Sequence, residues 1–214
     1  MIKAENIHKK YKEPVLKGVS LEVKPGEVIG IAGENGSGKS TLLSIISGFI
    51  QADAGKLSIE GQIGYVPQET ALFENLSVKD NLRFWAAAYG LKWKESVNTL
   101  PAGWLDMQEA GFMKKKVRHL SGGMKKRLTI TLACLNKPQW LLMDEPSAAL
   151  DIGFKKILSQ MIEDIRGSGR GVIFTSHQAD ELLWCDRIYV LREGVFAYSG
   201  PPTDLSGLSE VLYG

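Results

Sequence analysis

The amino-acid sequence predicts an α/β protein with a mainly parallel sheet, a small antiparallel β subdomain and an inserted helical subdomain. Residues 28–32 are apolar without alternation, which is typical of a strand covered on both faces in a parallel sheet. Strands and helices alternate through the second half of the chain, as they do around parallel sheets. Between these parts, from Ser77 to about Lys116, apolar residues recur at helical spacing.

The first elements are predicted to be strands. Residues 2–7 and 19–23 alternate apolar and polar side chains, so each strand should bury one face. Pro25 and Gly26 turn the chain into the apolar strand, which leads into a glycine-rich loop. Residues 42–46 then predict a helix that ends at Gly48, and residues 55–65 supply two short strands around Gly61.

A helical segment begins behind Ser77, and Asp80 completes the start signal. Its apolar stripe consists of Val78, Leu82, Trp85 and Tyr89. The stripe is most simply part of the core, and the alternative is a docking surface for a partner helix. We expect the segment to continue, with a break at Pro101 and Gly103, to about Lys116.

The second half supplies the remaining elements of the sheet. Residues 140–143 and 172–175 predict buried strands, and residues 152–165 and 179–185 predict helices. Residues 188–191 and 195–198 flank Glu193-Gly194 and predict a terminal hairpin. We therefore expect a single domain over residues 1–214, with a core and antiparallel β subdomain from 1–68 and 125–214 and a helical subdomain from 69–124.

Composition narrows the classes of partner. The formal charge of +2, from 26 basic and 24 acidic residues, gives no reason to expect a nucleic acid. The two cysteines, Cys134 and Cys185, lie in apolar segments and predict buried thiols in a reducing compartment. Because the sequence has neither a secretory signal nor a run of about 18 uncharged apolar residues, we expect a soluble chain.

Residues 33–40 carry the phosphate-binding pattern G-x-x-x-x-G-K-[ST], the P-loop, between a predicted strand and a predicted helix. The glycines let backbone N–H groups turn toward phosphate oxygens, and the helix start adds positive potential. We expect Lys39 to reach the β and γ phosphates and Ser40 to bind Mg²⁺. The predicted nucleotide ligands here are Gly33, Glu34, Asn35, Gly36, Ser37, Gly38, Lys39, Ser40 and Thr41. The fold class is then that of a P-loop NTPase.

Two carboxylates follow the predicted strand 140–143. Asp144 can complete the Mg²⁺ shell, and Glu145 can orient the attacking water. An Asp-Glu pair that ends a strand is more often a solvated loop, but its combination with a P-loop favours the catalytic interpretation.

Other motifs separate the classes of P-loop protein. Residues 136–139 begin like the guanine-binding Asn-Lys-x-Asp but lack the aspartate, which argues against a GTPase. Residues 120–124, Leu-Ser-Gly-Gly-Met, place a hydroxyl and two glycines before a second predicted helix. This pattern is typical of another anion-binding helix start, which a small-molecule kinase would not need.

Residues 120–124 resemble the LSGGQ signature of ABC-type ATPases, and neighbouring segments follow that family in order across nearly the whole chain. Tyr11 lies where the family has an adenine-stacking aromatic, and Gln68 resembles the Q-loop glutamine. Residues 146–151 are similar to the D-loop, and His177 to the switch histidine. Met124 replaces the usual glutamine, and the interval from Lys39 to Gln68 is shorter than is usual.

The resemblance implies a mechanism and a set of partners. Ser121, Gly122 and Gly123 of one subunit would cap the γ phosphate held by the P-loop of a second copy. Glu145, His177, Gln68 and Lys39 would be the catalytic residues, and Ser40, Gln68 and Asp144 would bind Mg²⁺.

In this interpretation residues 1–68 and 125–214 form the nucleotide-binding core, and residues 69–124 carry the signature motif. The chain would hydrolyse ATP to power membrane-spanning transporter subunits at the cytoplasmic face of the cell membrane, and it would act as a homodimer. The alternatives are a soluble ABC-type ATPase without transport and a nucleotide-responsive binding module without turnover. The intact Lys39, Asp144, Glu145 and His177 argue against lost turnover.

Overall fold

Two sheets organise the protein. The structure is a computed structural model that describes residues 1–93, 111–148, 152–202 and 207. Its strands are β1 (Ile2–Lys10), β2 (Pro14–Val23), β3 (Val28–Ala32), β4 (Ala54–Ile59), β5 (Ile63–Val66), β6 (Trp140–Met143), β7 (Gly171–Thr175), β8 (Arg187–Arg192) and β9 (Val195–Gly200). Its helices are α1 (Lys39–Ile46), α2 (Val78–Ala88), α3 (Gly122–Cys134), α4 (Ile152–Gly167) and α5 (Ala179–Leu182).

The larger sheet has the order β5-β6-β7-β3-β8-β9. The pairs from β5 to β8 are parallel, and β9 returns antiparallel to β8 through the predicted hairpin. The mainly parallel sheet is therefore confirmed. Because the strands run in parallel, the loops that follow β3, β6 and β7 emerge at the same edge, where open α/β sheets bind their ligands.

The smaller sheet is antiparallel, with the order β2-β1-β4. The two short strands predicted around Gly61 both form, but they join different sheets. β4 pairs with β1, whereas β5 pairs with β6 in the larger sheet. The position of β5 in the larger sheet requires a close approach to α3. A Cβ on Gly64 would lie 2.4 Å from the carbonyl oxygen of Ala133, so only glycine lets β5 lie against that helix.

Apolar side chains cover both faces of the larger sheet. Helix α4 packs on one face through Phe154, Leu158 and Met161. Helix α1 packs on the other through Leu42 and Leu43. This double cover explains the uninterrupted apolar composition of β3, whose residues are all buried.

Helix α2 begins as predicted, since the Ser77 hydroxyl accepts a hydrogen bond from the Asp80 N–H. In the predicted apolar stripe, Val78 and Leu82 are buried against α3, while Tyr89 is 36% exposed. The stripe therefore packs in the core at its first residues and reaches the surface at its last. The predicted break at Pro101 and Gly103 lies outside the described residues.

The helix predicted at residues 179–185 is shorter in the structure and ends at Leu182. The chain must rejoin the sheet there, because the Asp186 backbone and carboxylate both hydrogen-bond to Val28 at the start of β3. Cys134 and Cys185 are buried free thiols, as predicted.

Candidate active site

The phosphate-binding loop joins β3 to α1 in a conformation that requires glycine. Gly33, Gly36 and Gly38 have φ of 146°, 83° and 109°. A Cβ on Gly33 would lie 2.2 Å from the carbonyl oxygen of Leu191. Sterics therefore select the glycines, and their backbone N–H groups are free to line a concave anion site.

Lys39 lies within this loop and is 5% exposed. Its ammonium donates to the carbonyl oxygens of Gly33 and Glu34, at 2.8 and 2.9 Å. Burial lowers the pKa of Lys39, and the negative charges of Glu145 and Asp144 oppose that shift. The ammonium is thus held over the loop in an environment that would favour a phosphate as its counter-ion.

A cleft of about 470 Å³ opens at this edge of the sheet. Its lining includes residues from the P-loop and from four other segments. They are Val15, Asn35, Gly36, Gly38, Lys39, Ser40, Thr41, Gln68, Glu145 and His177. The fold therefore gathers, from four separate segments, side chains that the sequence assigned to one site.

Thr175, at the end of β7, fixes the two carboxylates that follow β6. Its hydroxyl donates to Asp144 Oδ1 at 2.7 Å and accepts from the Glu145 N–H at 2.8 Å. Glu145 has φ of 42°, a left-handed conformation that costs a non-glycine residue about 1–2 kcal/mol. The hydrogen bond that the Glu145 N–H donates to Thr175 stabilises that conformation, in which Glu145 lines the cleft.

Gln68 and His177 converge on the Glu145 carboxylate. Gln68 Nε2 donates to Oε2 at 3.2 Å, and His177 Nδ1 lies 3.9 Å from Oε1. The Glu145 side chain is 14% exposed and the His177 side chain 52% exposed. A carboxylate with two nitrogen groups beside it, open to the cleft on one side, can orient a water molecule for attack.

The donor set also fits Mg²⁺. Asp144 is buried, and the hydroxyl of Ser40 and the amide oxygen of Gln68 are oxygen ligands of the kind that this hard cation prefers. In the described part of the chain, no three His, Cys, Asp or Glu residues could hold a metal among themselves. Mg²⁺ usually takes one or two carboxylates together with substrate phosphates.

Lys126 is a buried site residue that the sequence analysis missed. Its ammonium, on α3, donates to the carbonyl oxygens of Pro67 and Gln68 at 3.2 and 2.9 Å. Burial lowers its pKa, against the charges of Asp144 and Glu145. Helical spacing offered a signal, since Lys126 and Ile130 lie one turn apart on an otherwise apolar face.

The signature residues lie elsewhere. Ser121, Gly122 and Gly123 form the start of α3, where the Ser121 hydroxyl accepts from the Met124 N–H at 3.2 Å. Ser121 and Gly122 are exposed, and none of the three lines the cleft. Tyr11 is 59% exposed, beside the Lys9 ammonium at 5.7 Å from its ring centroid. Residues 149–151 of the D-loop lie outside the described residues.

Comparison with known proteins identifies the class. A family model described as ABC transporter matches residues 16–148. The linearmycin resistance ATP-binding protein LnrL of Bacillus subtilis is 37% identical, over 96% of this chain and 70% of its own length. The spermidine/putrescine import ATP-binding protein PotA of Spiroplasma citri is 35% identical, over 100% of this chain and 65% of its own. The chain therefore belongs to the ABC transporter family of ATP-binding proteins.

A solved structure agrees. The dimeric, post-hydrolysis structure of the ATP-binding cassette MJ0796 bound to ADP and Pi superposes with a TM-score of 0.83 at 26% identity, over 95% of this chain and 99% of that chain. The chain is an ATPase subunit that powers a membrane transporter, as the resemblance predicted. Among the described residues, no helix is long and apolar enough to cross a bilayer.

Proposed function

We propose that two copies of this chain close around two ATP molecules, each held between the P-loop of one copy and the start of α3 of the other. One observation carries this proposal: Ser121 and Gly122 are exposed and lie outside the cleft that Lys39 and Glu145 line. One copy therefore offers two phosphate-binding features that do not meet, and a two-fold arrangement of copies pairs each with its complement.

The start of α3 is suited to the γ phosphate. The helix is 13 residues long, and its first turn contains no acidic residue that would repel an anion. Its unpaired N–H groups and macrodipole favour negative charge. Met124 replaces the usual glutamine but leaves the serine and both glycines in place. The similar solved structure is a dimer bound to ADP and Pi, which supports a dimeric arrangement for this chain.

Hydrolysis would follow from the groups around Glu145. The carboxylate would orient water toward the γ phosphate, while His177 and Gln68 would hold that carboxylate and contact the nucleotide. Lys39 would neutralise charge that develops on the phosphate oxygens. These groups already lie together in the cleft at one edge of the sheet, so little reorganisation is needed within one copy.

We assign Mg²⁺ to Ser40, Gln68 and Asp144, together with the nucleotide phosphates. The ion, when bound, neutralises phosphate charge and orients the phosphoryl group. Thr175 holds the orientation of the Asp144 carboxylate by donating a hydrogen bond to it. Tyr11 would stack on adenine, a contact worth about 1–3 kcal/mol for such aromatic pairs.

The transporter partner would dock beside α2. A groove of about 400 Å³ there has an apolar lining that includes Tyr65, Trp85 and Tyr89. Phe49 at its edge is 73% exposed. We propose that it receives a helix of a membrane-spanning subunit, which would hold the chain at the cytoplasmic face of the membrane and link the partner to Gln68, three residues beyond Tyr65.

The shared site is tested by trapping the closed state. Glu145→Gln should bind ATP but hydrolyse it at least about 100-fold more slowly, and light scattering should then show an ATP-dependent dimer. Adding Ser121→Ala should weaken that dimer. The matched controls are Glu163→Gln and Ser159→Ala, both on α4 and away from the cleft. An ATP-loaded Glu145→Gln protein that stays monomeric, with turnover independent of protein concentration, would refute the proposal.

A further inference from the structure

A buried carboxylate joins the two loops that carry the catalytic residues. Glu181, on α5, is 1% exposed. Its carboxylate accepts a hydrogen bond from the Ser147 hydroxyl at 2.5 Å and another from the Ser176 hydroxyl at 2.6 Å. Ser147 lies two residues after Glu145, and Ser176 immediately precedes His177.

The bridge is fully satisfied, which is what a buried charge requires. Lys155 Nζ lies 3.2 Å from Glu181 Oε1. The Ser176 hydroxyl also accepts from the Gln178 N–H at 3.0 Å, and the Ser147 and Ser176 side chains are themselves buried. Each oxygen of the carboxylate therefore holds one loop, and neither serine has freedom to turn away.

The sheet does not fix these loops by itself. The β6–β7 pairing ends at Met143 and Phe174, before either catalytic residue. Beyond that point, hydrogen bonds through the Thr175 hydroxyl and through the Glu181 carboxylate connect the two loops. Thr175 accepts a hydrogen bond from the Glu145 backbone. Glu181 instead bonds to Ser147, two residues after Glu145, and to Ser176, directly before His177.

We propose that Glu181 is a positioning residue for ATP hydrolysis, because its carboxylate sets the spacing between the Glu145 loop and the His177 loop. The inference rests on the proposed roles of Glu145 and His177. Those side chains lie 3.9 Å apart, so a shift of about 1 Å in either loop would separate them, and misplacements of that size can cost about 100-fold in rate.

The first test compares Glu181→Ala with Glu181→Gln. The alanine variant frees both loops, so kcat should fall about 10–100-fold while KM for ATP changes less than about threefold, since the P-loop is untouched. The glutamine variant can accept from one serine and donate to the other, so its kcat should stay within about fivefold of the natural protein. Asp180→Asn, an exposed neighbour that also faces Lys155, is the control and should leave kcat unchanged.

The second test remains informative if the alanine variant does not fold. Ser147→Ala and Ser176→Ala each remove one arm of the bridge, and either change breaks the link through Glu181. The double variant should therefore lose little more kcat than the worse single variant. If the two serines contributed independently, the fold-losses in kcat of the two single variants would multiply in the double variant.

Four results separate the possible failures. Natural kcat in Glu181→Ala, or multiplicative losses in the serine pair, would overturn the positioning role. A tenfold loss in Glu181→Gln equal to that of Glu181→Ala would do the same, because the hydrogen-bonded bridge would then not matter. If Glu145→Gln itself turned over ATP normally, the proposed catalytic role of Glu145 would be the part that failed.

Discussion

Replacement of Thr175 by valine tests the geometry of the site directly. Valine keeps the shape of the buried side chain but removes the hydroxyl that donates to Asp144 and accepts from the Glu145 N–H. Loss of a hydrogen bond to a buried carboxylate costs about 1.5–3 kcal/mol, and loss of a bond to a partly buried amide costs about 1 kcal/mol. Together the change should destabilise the fold by roughly 2.5–4 kcal/mol.

For a chain of this length, that loss corresponds to a fall in Tm of about 5–15 °C. Glu145 would also lose the bond that holds its left-handed backbone, so kcat should fall about 10–100-fold. Circular dichroism measures the melting temperature, and phosphate release under ATP saturation measures kcat at a temperature where the variant is folded.

Thr175→Ser is the matched control. It keeps the hydroxyl and loses one buried methyl group, so it should cost less than about 1.5 kcal/mol and preserve most of the turnover. Equal melting temperatures for the valine and serine variants, with natural kcat in both, would refute the assigned role of the hydroxyl.

Three further predictions concern buried groups. Lys126→Met should keep the fold but lower kcat about tenfold in a phosphate-release assay, because the loop at Gln68 loses its hydrogen bonds to α3. Lys126→Arg keeps a cationic donor and should retain part of the natural kcat. Gly33→Ala should destabilise the protein by about 3 kcal/mol or more in urea titrations, because the added Cβ would clash with a carbonyl oxygen of β8. The control is Gly48→Ala, whose Cβ would meet no atom within 4 Å and which should cost only about 1 kcal/mol. Burial raises the pKa of Cys134 to about 12, so both thiols should resist iodoacetamide at pH 8 and react only in denaturant.

Local sequence determined the parts of the site that depend on neighbouring residues. The P-loop could be predicted because its glycines, its lysine and the strand before it occupy one short segment, and the left-handed φ values at Gly33, Gly36 and Gly38 bear out the need for glycine. The start of α3 at Ser121 could be predicted for the same reason, because an N-cap is a contact across three residues.

The joint placement of Gln68, Glu145 and His177 came from family resemblance, and the fold explains it physically. The strand order β5-β6-β7-β3-β8-β9 differs from chain order, so no local pattern could show that the ends of β5, β6 and β7 are neighbours. The destination of β5 likewise depended on a close contact with α3, which the two-strand pattern around Gly61 could not reveal.

Tertiary structure alone decided the roles of Thr175, Lys126 and Glu181. Each is a polar side chain in a buried setting, and each bonds to a segment far from it in sequence. Sequence periodicity reports which side chains leave water, because hydrophobicity is a property of the residue itself. It does not report the partner of a buried hydroxyl, ammonium or carboxylate, because that partner is set by which strands and helices come to lie side by side.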